Sequence, residues 1–233
     1  MSTSSRWIAA ALGLHVSQAA LAIDTTLTFD QGTQQTPTIC SLTADGMGGA
    51  TGCANGSPIQ QSYGDIAGVL DVQYQAPRAT SPTSLYWWDS SYNNLYGVLW
   101  AQGSDASSQA RITFLPVAAG SELTLNSFVL GAWPLTTRST RLTITEVDTG
   151  TLLYSFSGAV GNSNISATTF TPRVSSRLGL QLTWQDSAYN VGIDNIHLSV
   201  TPVPEAGSVA MALAGLGVTS LAWMRRRRAE TSS

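Results

Sequence analysis

Between residues 23 and 200, apolar residues come in short runs cut by turn residues, with almost no recurrence at the helical spacing of three and four. The runs are Thr25–Asp30, Val69–Gln75, Ser84–Trp88, Leu95–Trp100, Arg111–Val117, Glu122–Leu130, Arg141–Val147, Leu152–Phe156, Leu178–Trp184 and Gly192–Val200. Strict alternation marks two of them: Leu142 and Ile144 share one face of Arg141–Thr145, and Leu178, Leu180 and Leu182 share one face of theirs. Asp148-Thr149-Gly150 separates two runs and reads as a hairpin turn, with Gly where a positive φ is needed. Charged residues make up only 11% of the chain, too few for a helical bundle or coiled coil. Ser (29) and Thr (27) replace them, but 43% hydrophobic residues are too many for a disordered chain. The pattern predicts an all-β domain over 23–200, a jelly-roll-like β-sandwich of about ten strands. No solenoid or propeller repeat is visible.

The charges narrow the chemistry. The net charge of −3 argues against nucleic acid as a partner. All eleven basic residues are Arg, so Lys is available neither for a Schiff base nor for a phosphate-binding loop. Of two histidines, His15 lies near the N-terminus and His197 in the last run, where it is expected to face outward. Zinc patterns and a Gly-x-Ser-x-Gly elbow are absent from the sequence. What survives is carboxylate chemistry, as in glycoside hydrolysis by two acids. Glu122, Glu146 and Glu205 are few, and the first two sit at strand or turn positions. The expectation is a non-catalytic protein.

Two terminal segments read as addresses. Residues 1–22 have the form of a signal peptide: basic Arg6, an apolar run Trp7–Leu14, and Ala20-Leu21-Ala22, which predicts cleavage before Ile23. At the other end, 206–224 is a 19-residue uncharged stretch, about 28 Å as a helix and close to the hydrocarbon thickness of a bilayer. Arg225, Arg226, Arg227 and Arg228 follow it and would hold the tail 225–233 on the cytoplasmic side, leaving the domain outside the inner membrane. A linker, 201–205, precedes the span and contains Val203-Pro204-Glu205. Pro-Glu, an apolar helix and a terminal Arg cluster together resemble the PEP-CTERM sorting signal, with Ala206 in place of the usual second Pro. The resemblance implies an exosortase-type sorting enzyme as partner, transient residence in the inner membrane, and release to the cell surface or extracellular matrix. Within it Pro204 and Glu205 are recognised residues. The same kind of tail occurs on ice-binding proteins. Thr28-Phe29-Asp30, Leu125–Gly131 and Val191–Ile196 resemble strands of β-sandwich modules often found ahead of such tails.

Three sets of residues are candidates for sites. Cys40 and Cys53 are the only cysteines, and in an exported domain they are expected to form a disulfide, the alternative being two free buried thiols. Tyr86, Trp87, Trp88, Tyr92, Tyr96 and Trp100 crowd into 15 residues. In a strand, Trp87 and Trp88 project to opposite faces, so one enters the core. The other lies outside, either covered by a loop or free, with Tyr92, to stack against a sugar ring. Asp89, Asn93 and Asn94 would then bond its hydroxyls. Finally, Asp30 and Asp194 become neighbours if the first and last strands pair. They are then either calcium ligands or ordinary turn and surface aspartates. No other cofactor is expected. The reading that results is an exported, non-catalytic surface or matrix protein that binds polysaccharide. Alternatives are a carboxylate-dependent glycan-cleaving enzyme, expected to show a cleft with two facing acids, and a structural or ice-adhering protein with a flat Thr-rich face.

Overall fold

The computed structural model describes residues 22–30, 40, 53–78, 84–104, 107–162 and 164–203. Residues 1–21 of the expected signal peptide, Pro204, Glu205, the apolar stretch 206–224 and Arg225–Arg228 lie outside the described residues. Within them the regular structure is strand: β1 Ile23–Leu27, β2 Leu70–Gln75, β3 Tyr86–Trp88, β4 Val98–Trp100, β5 Gln109–Pro116 and β6 Ser121–Ala132. The second half adds β7 Arg138–Glu146, β8 Leu152–Val160, β9 Thr168–Phe170, β10 Val174–Ser176, β11 Leu180–Gln185 and β12 Val191–Pro202. Each of the ten expected runs overlaps a strand, but the first strand lies earlier than Thr25–Asp30, so that Thr28-Phe29-Asp30 follows β1 and is not part of it. The three-residue β9 and β10 were not anticipated, because so short a segment carries no periodicity of its own.

The strands form two antiparallel sheets of a β-sandwich. One runs β10-β6-β12-β4-β3, with β1 also on β12 and β9 also on β6; the other runs β2-β5-β11-β7-β8. Alternation supplies the inner faces. Ala110, Ile112 and Phe114 on β5, Leu180, Leu182 and Trp184 on β11, and Leu142 and Ile144 on β7 are fully buried. They meet Leu123, Leu125, Phe128 and Leu130 of β6 and Ile193, Ile196 and Leu198 of β12 in one core. Burial of each such side chain is worth about 1.5–3 kcal/mol. Trp184 also spans the layers, its Nε1 donating to the Val191 carbonyl at 2.8 Å.

Turns, strand pairing and one bulge set the positions of the candidate residues. The β7–β8 hairpin turns at 148–150, with Gly150 at φ +67° and its N–H on the Glu146 carbonyl at 3.1 Å, as the sequence predicts. The terminal strands pair from Ile23↔Val200 to Leu27↔Ile196. Between Asp194 and His197 the β12–β6 register shifts, and Asn195 takes φ +51°, which Asn tolerates better than most residues. This bulge switches the inward parity from Ile193 to Ile196 and leaves Asp194 1% exposed. Cys40 and Cys53 are joined by a disulfide with a Cα–Cα distance of 5.5 Å.

Candidate functional site

The site begins with the pairing of β3 and β4. Trp87 lies opposite Leu99 on the inner face, while Tyr86 and Trp88 lie opposite Trp100 and Val98 on the outer face. Trp87 is 1% exposed and donates from Nε1 to the Phe29 carbonyl at 2.8 Å. It is therefore the core ring, and its candidacy for ligand binding ends there. Trp88 is half-buried on the outside.

Residues 89–97 then fold back across the outer face of β12 and β6, and two glycines make the seat. A Cβ on Gly131 would stand 2.4 Å from the Tyr92 carbonyl oxygen, and one on Gly192 would stand 2.5 Å from Val98 Cγ2. The segment is pinned by its own amides. Asn93 Oδ1 accepts from the Ala132 N–H at 2.6 Å and Asn93 Nδ2 donates to the Thr136 carbonyl at 3.0 Å. Asn94 Oδ1 accepts from the Ala167 N–H at 2.7 Å, and Asp89 Oδ1 accepts from Asn55 Nδ2 at 2.9 Å. The polar groups expected to meet sugar hydroxyls hold the scaffold instead. Tyr92 is buried beneath, its hydroxyl donating to the Tyr189 carbonyl at 2.9 Å, and burial, followed by the neighbouring Tyr189, drives its pKa far upward.

Above Tyr92 opens a hollow of about 110 Å³ lined by Trp88, Tyr92, Trp100, Trp133, Tyr189 and Asn190. Three connections build it: the β3–β4 hairpin, the β6–β7 turn that carries Trp133, and the β11–β12 turn that carries Tyr189 and Asn190. The Trp133 N–H donates to the Asn190 carbonyl at 2.9 Å and ties the last two together. Trp100 is the central ring, edge-on to Tyr189 with centroids 5.1 Å apart and to Trp88 at 6.2 Å. Two side-chain atoms of this lining, Trp100 Nε1 and Asn190 Oδ1, are buried and have no hydrogen-bond partner. Such atoms cost about 1–3 kcal/mol each when left unpaired. Of this lining, Trp88 and Tyr92 are candidates from the sequence, and Trp100 belongs to the same aromatic cluster. Trp133, Tyr189 and Asn190 come from turns distant in sequence, where the only signal was an aromatic residue in an otherwise polar connection.

The acidic pair has a different character. β1–β12 pairing brings Asp30 and Asp194 close enough for the Asp30 charge to act on Asp194. Both Asp194 oxygens already accept N–H groups, Oδ1 from Phe29 N and Oδ2 from Asn195 Nδ2, each at 2.9 Å. Burial, the largest cause, pushes the Asp194 carboxyl up to about 6 against the lowering effect of its N–H donors. Among the described residues no group of three or more His, Cys, Asp or Glu is placed to hold a metal ion. His197 is part-exposed, with Nε2 2.5 Å from Asp24 Oδ1. Glu146 accepts from Ser176 Oγ and Thr149 Oγ1, both at 2.8 Å, which holds its carboxyl below the usual range.

The sequence matches no protein-family model and no curated protein. Among solved structures it is similar to a chain described as "CBM4 structure and function", at 12% identity and TM-score 0.27 over 57% of this chain and 84% of that one. It is also similar to a family 29 carbohydrate-binding module mutant complexed with cellulohexaose (13%, TM-score 0.26, 58% and 94%). A third is an arabinose-bound α-L-arabinofuranosidase, at 16% identity and TM-score 0.34 over 75% of this chain. The match spans about a quarter of the arabinofuranosidase, 26% of its length.

Proposed function

We propose that this chain is an exported, non-catalytic surface or extracellular-matrix protein whose jelly-roll-like sandwich binds polysaccharide at the aromatic hollow. In this reading residues 1–22 direct export. Residues 206–224 and Arg225–Arg228 hold the chain transiently in the inner membrane, and Val203-Pro204-Glu205 presents it to an exosortase-type enzyme. The Cys40–Cys53 bridge supports an oxidising destination, since such bonds persist outside the reducing cytoplasm.

The observation that carries the binding role is the hollow itself. Aromatic rings from the β3–β4 hairpin and from two further turns line it, and a pinned loop holds them in place. The rings at the rim supply contact area for the apolar face of a sugar. The test is a glycan array probed with the full chain in mild detergent, beside Trp88→Ala. Retention of the wild type on a subset of polysaccharides, with loss in the variant, is expected. Equal retention of both proteins, or of neither, refutes the assignment.

A further inference from the structure

A strand at the rim of a sheet offers a row of unpaired N–H and C=O groups to any extended chain, and most outer strands here are covered, short or charged. At one rim of the second sheet the preceding loop bonds the backbone of β2. Leu70 and Ile66 exchange N–H···O bonds of 3.0 and 2.8 Å, and the Val72 N–H donates to Asp65 Oδ1 at 2.8 Å. Gln61 accepts from the Tyr74 N–H and donates to the Tyr74 carbonyl, both at 3.2 Å. In the first sheet, Gly56 and Ser57 cap β3 at Trp87, β9 and β10 are three residues long, and β1 carries the exposed Asp24. β8 has none of these devices. It forms the other rim of the second sheet, beside β7. Its nine residues, Leu152–Val160, include no charge and no Pro. Among the described residues, no group outside β7 is hydrogen-bonded to its backbone. The ladder to β7 is regular from Tyr154 to Val160, and its register shift lies at the turn end, between Ile144 and Thr145. On the inner side Leu153, Tyr154 and Phe156 pack half-buried against the core, the incomplete cover of a rim.

We infer that β8 is an association edge whose partner is the β8 of a second copy of this chain, added antiparallel about a two-fold axis through Phe156 so that the two sheets run on as one. The strand suits its own copy. A two-fold axis perpendicular to the sheet keeps both inner faces on the same side, so Tyr154 and Phe156 of the two copies extend one apolar row. With Phe156, the middle of the strand, on the axis, Ser155 of each copy stands opposite Ser157 of the other. Both serines are exposed, and hydroxyls facing across strands bond one another. Charge selects the antiparallel sense. The turn end of the β7–β8 hairpin is acidic, with Glu146 and Asp148, and the far end carries Arg138 opposite Val160. Antiparallel addition sets the acidic end of one copy toward the Arg138 end of the other, whereas parallel addition sets like ends together. Pairing confined to one edge belongs with interfaces below about 1,200 Å², which associate weakly, so the dimer depends on concentration. The inference is independent of the glycan-binding reading.

The experiment uses the full chain in mild detergent. Sedimentation equilibrium from about 1 µM to about 0.5 mM is expected to show reversible dimerisation of the wild type. One variant combines Ser155→Glu with Ser157→Glu, and another combines Ser155→Lys with Ser157→Lys. Each places like charges directly opposite one another twice across the axis, and each alone is expected to dimerise at least about tenfold more weakly. An equimolar mixture of the two sets Glu opposite Lys and is expected to recover the wild-type affinity within about threefold. A second readout does not depend on how the charge variants fold. The two native cysteines are joined to each other, so Ser155→Cys and Ser157→Cys each add one reactive thiol. Mild oxidation of their mixture is expected to yield a disulfide between positions 155 and 157, identified by mass spectrometry, while either variant alone yields little cross-linked dimer. Four results overturn the inference: a wild type that stays monomeric over the whole range, dimerisation undiminished in both charge variants, no recovery in their mixture, or a cysteine mixture without the bridge between 155 and 157.

Discussion

Replacing Asp194 by Asn isolates a buried acid whose effect on stability has a definite sign. The carboxyl is 1% exposed, and burial raises its proton affinity from the ordinary 3.8 to about 6. The gap of about 2 corresponds to about 3 kcal/mol, at 1.36 kcal/mol per tenfold change. Because the folded value lies above the unfolded one, the folded state holds the proton more tightly. Its stabilising contribution is fully present below about pH 4 and is lost as the pH rises through about 6. The amide introduced by Asp194→Asn has no such titration, and its oxygen can still accept from the Phe29 N–H. Urea unfolding of both proteins from pH 4 to 7.5 is expected to show the variant gaining about 2–3 kcal/mol relative to wild type across that window. Other carboxylates, including the ion-paired Asp186, titrate in both proteins and cancel in the difference. A flat difference refutes the reasoning. So does wild type gaining on the variant, which would mean that the N–H donors outweigh burial and hold the carboxyl below its ordinary range.

Three further outcomes are expected. Cys40→Ser is expected to cost about 3 kcal/mol, the loop-closure effect for a sequence separation of 13, read as a lowered denaturation midpoint. Gly131→Ala drives a methyl against the Tyr92 carbonyl oxygen, so the 89–97 segment must lift. Glycan retention is then expected to fall by at least about tenfold while far-ultraviolet circular dichroism keeps its β signature, and undiminished retention counts against the seat described for Tyr92. Removal of residues 203–233 is expected to move the protein from the membrane fraction to the periplasm, and a truncated chain that still sediments with membranes contradicts the role given to the tail.

What sequence could show followed from period and parity. Two-residue alternation is a property of adjacent positions, so the strands of the core and the opposite facing of Trp87 and Trp88 were legible. The turn at Gly150 was legible for the same local reason. So was the neighbourhood of Asp30 and Asp194, because only one step of reasoning, the pairing of first and last strands, lay between residues and contact. The hollow needed more. Trp133 and Asn190 meet only because β6 and β12 lie side by side and their turns open at the same end, a consequence of strand order that alternation does not encode. Asn93 and Asn94 show the converse error. Carboxamides beside aromatic rings suit a sugar, but the same groups are the ones best able to cap a folded-back loop, and here the backbone took them. The two register shifts between Asp194 and Leu198 were equally hidden, since such an irregularity reverses parity partway along the strand.

Tryptophan oxidation mapping reads out whether polysaccharide lies against the aromatic hollow. The full chain is treated with N-bromosuccinimide, with and without a saturating polysaccharide from the array, and digested for mass spectrometry. Trp88 and Trp133 are half-buried at the rim, whereas Trp87 and Trp184 are 1% and 0% exposed. Trp88 and Trp133 are expected to be oxidised in the free protein and protected by bound glycan, and Trp87 and Trp184 to stay unreacted in either state. Bound glycan that leaves Trp88 and Trp133 as reactive as before contradicts it.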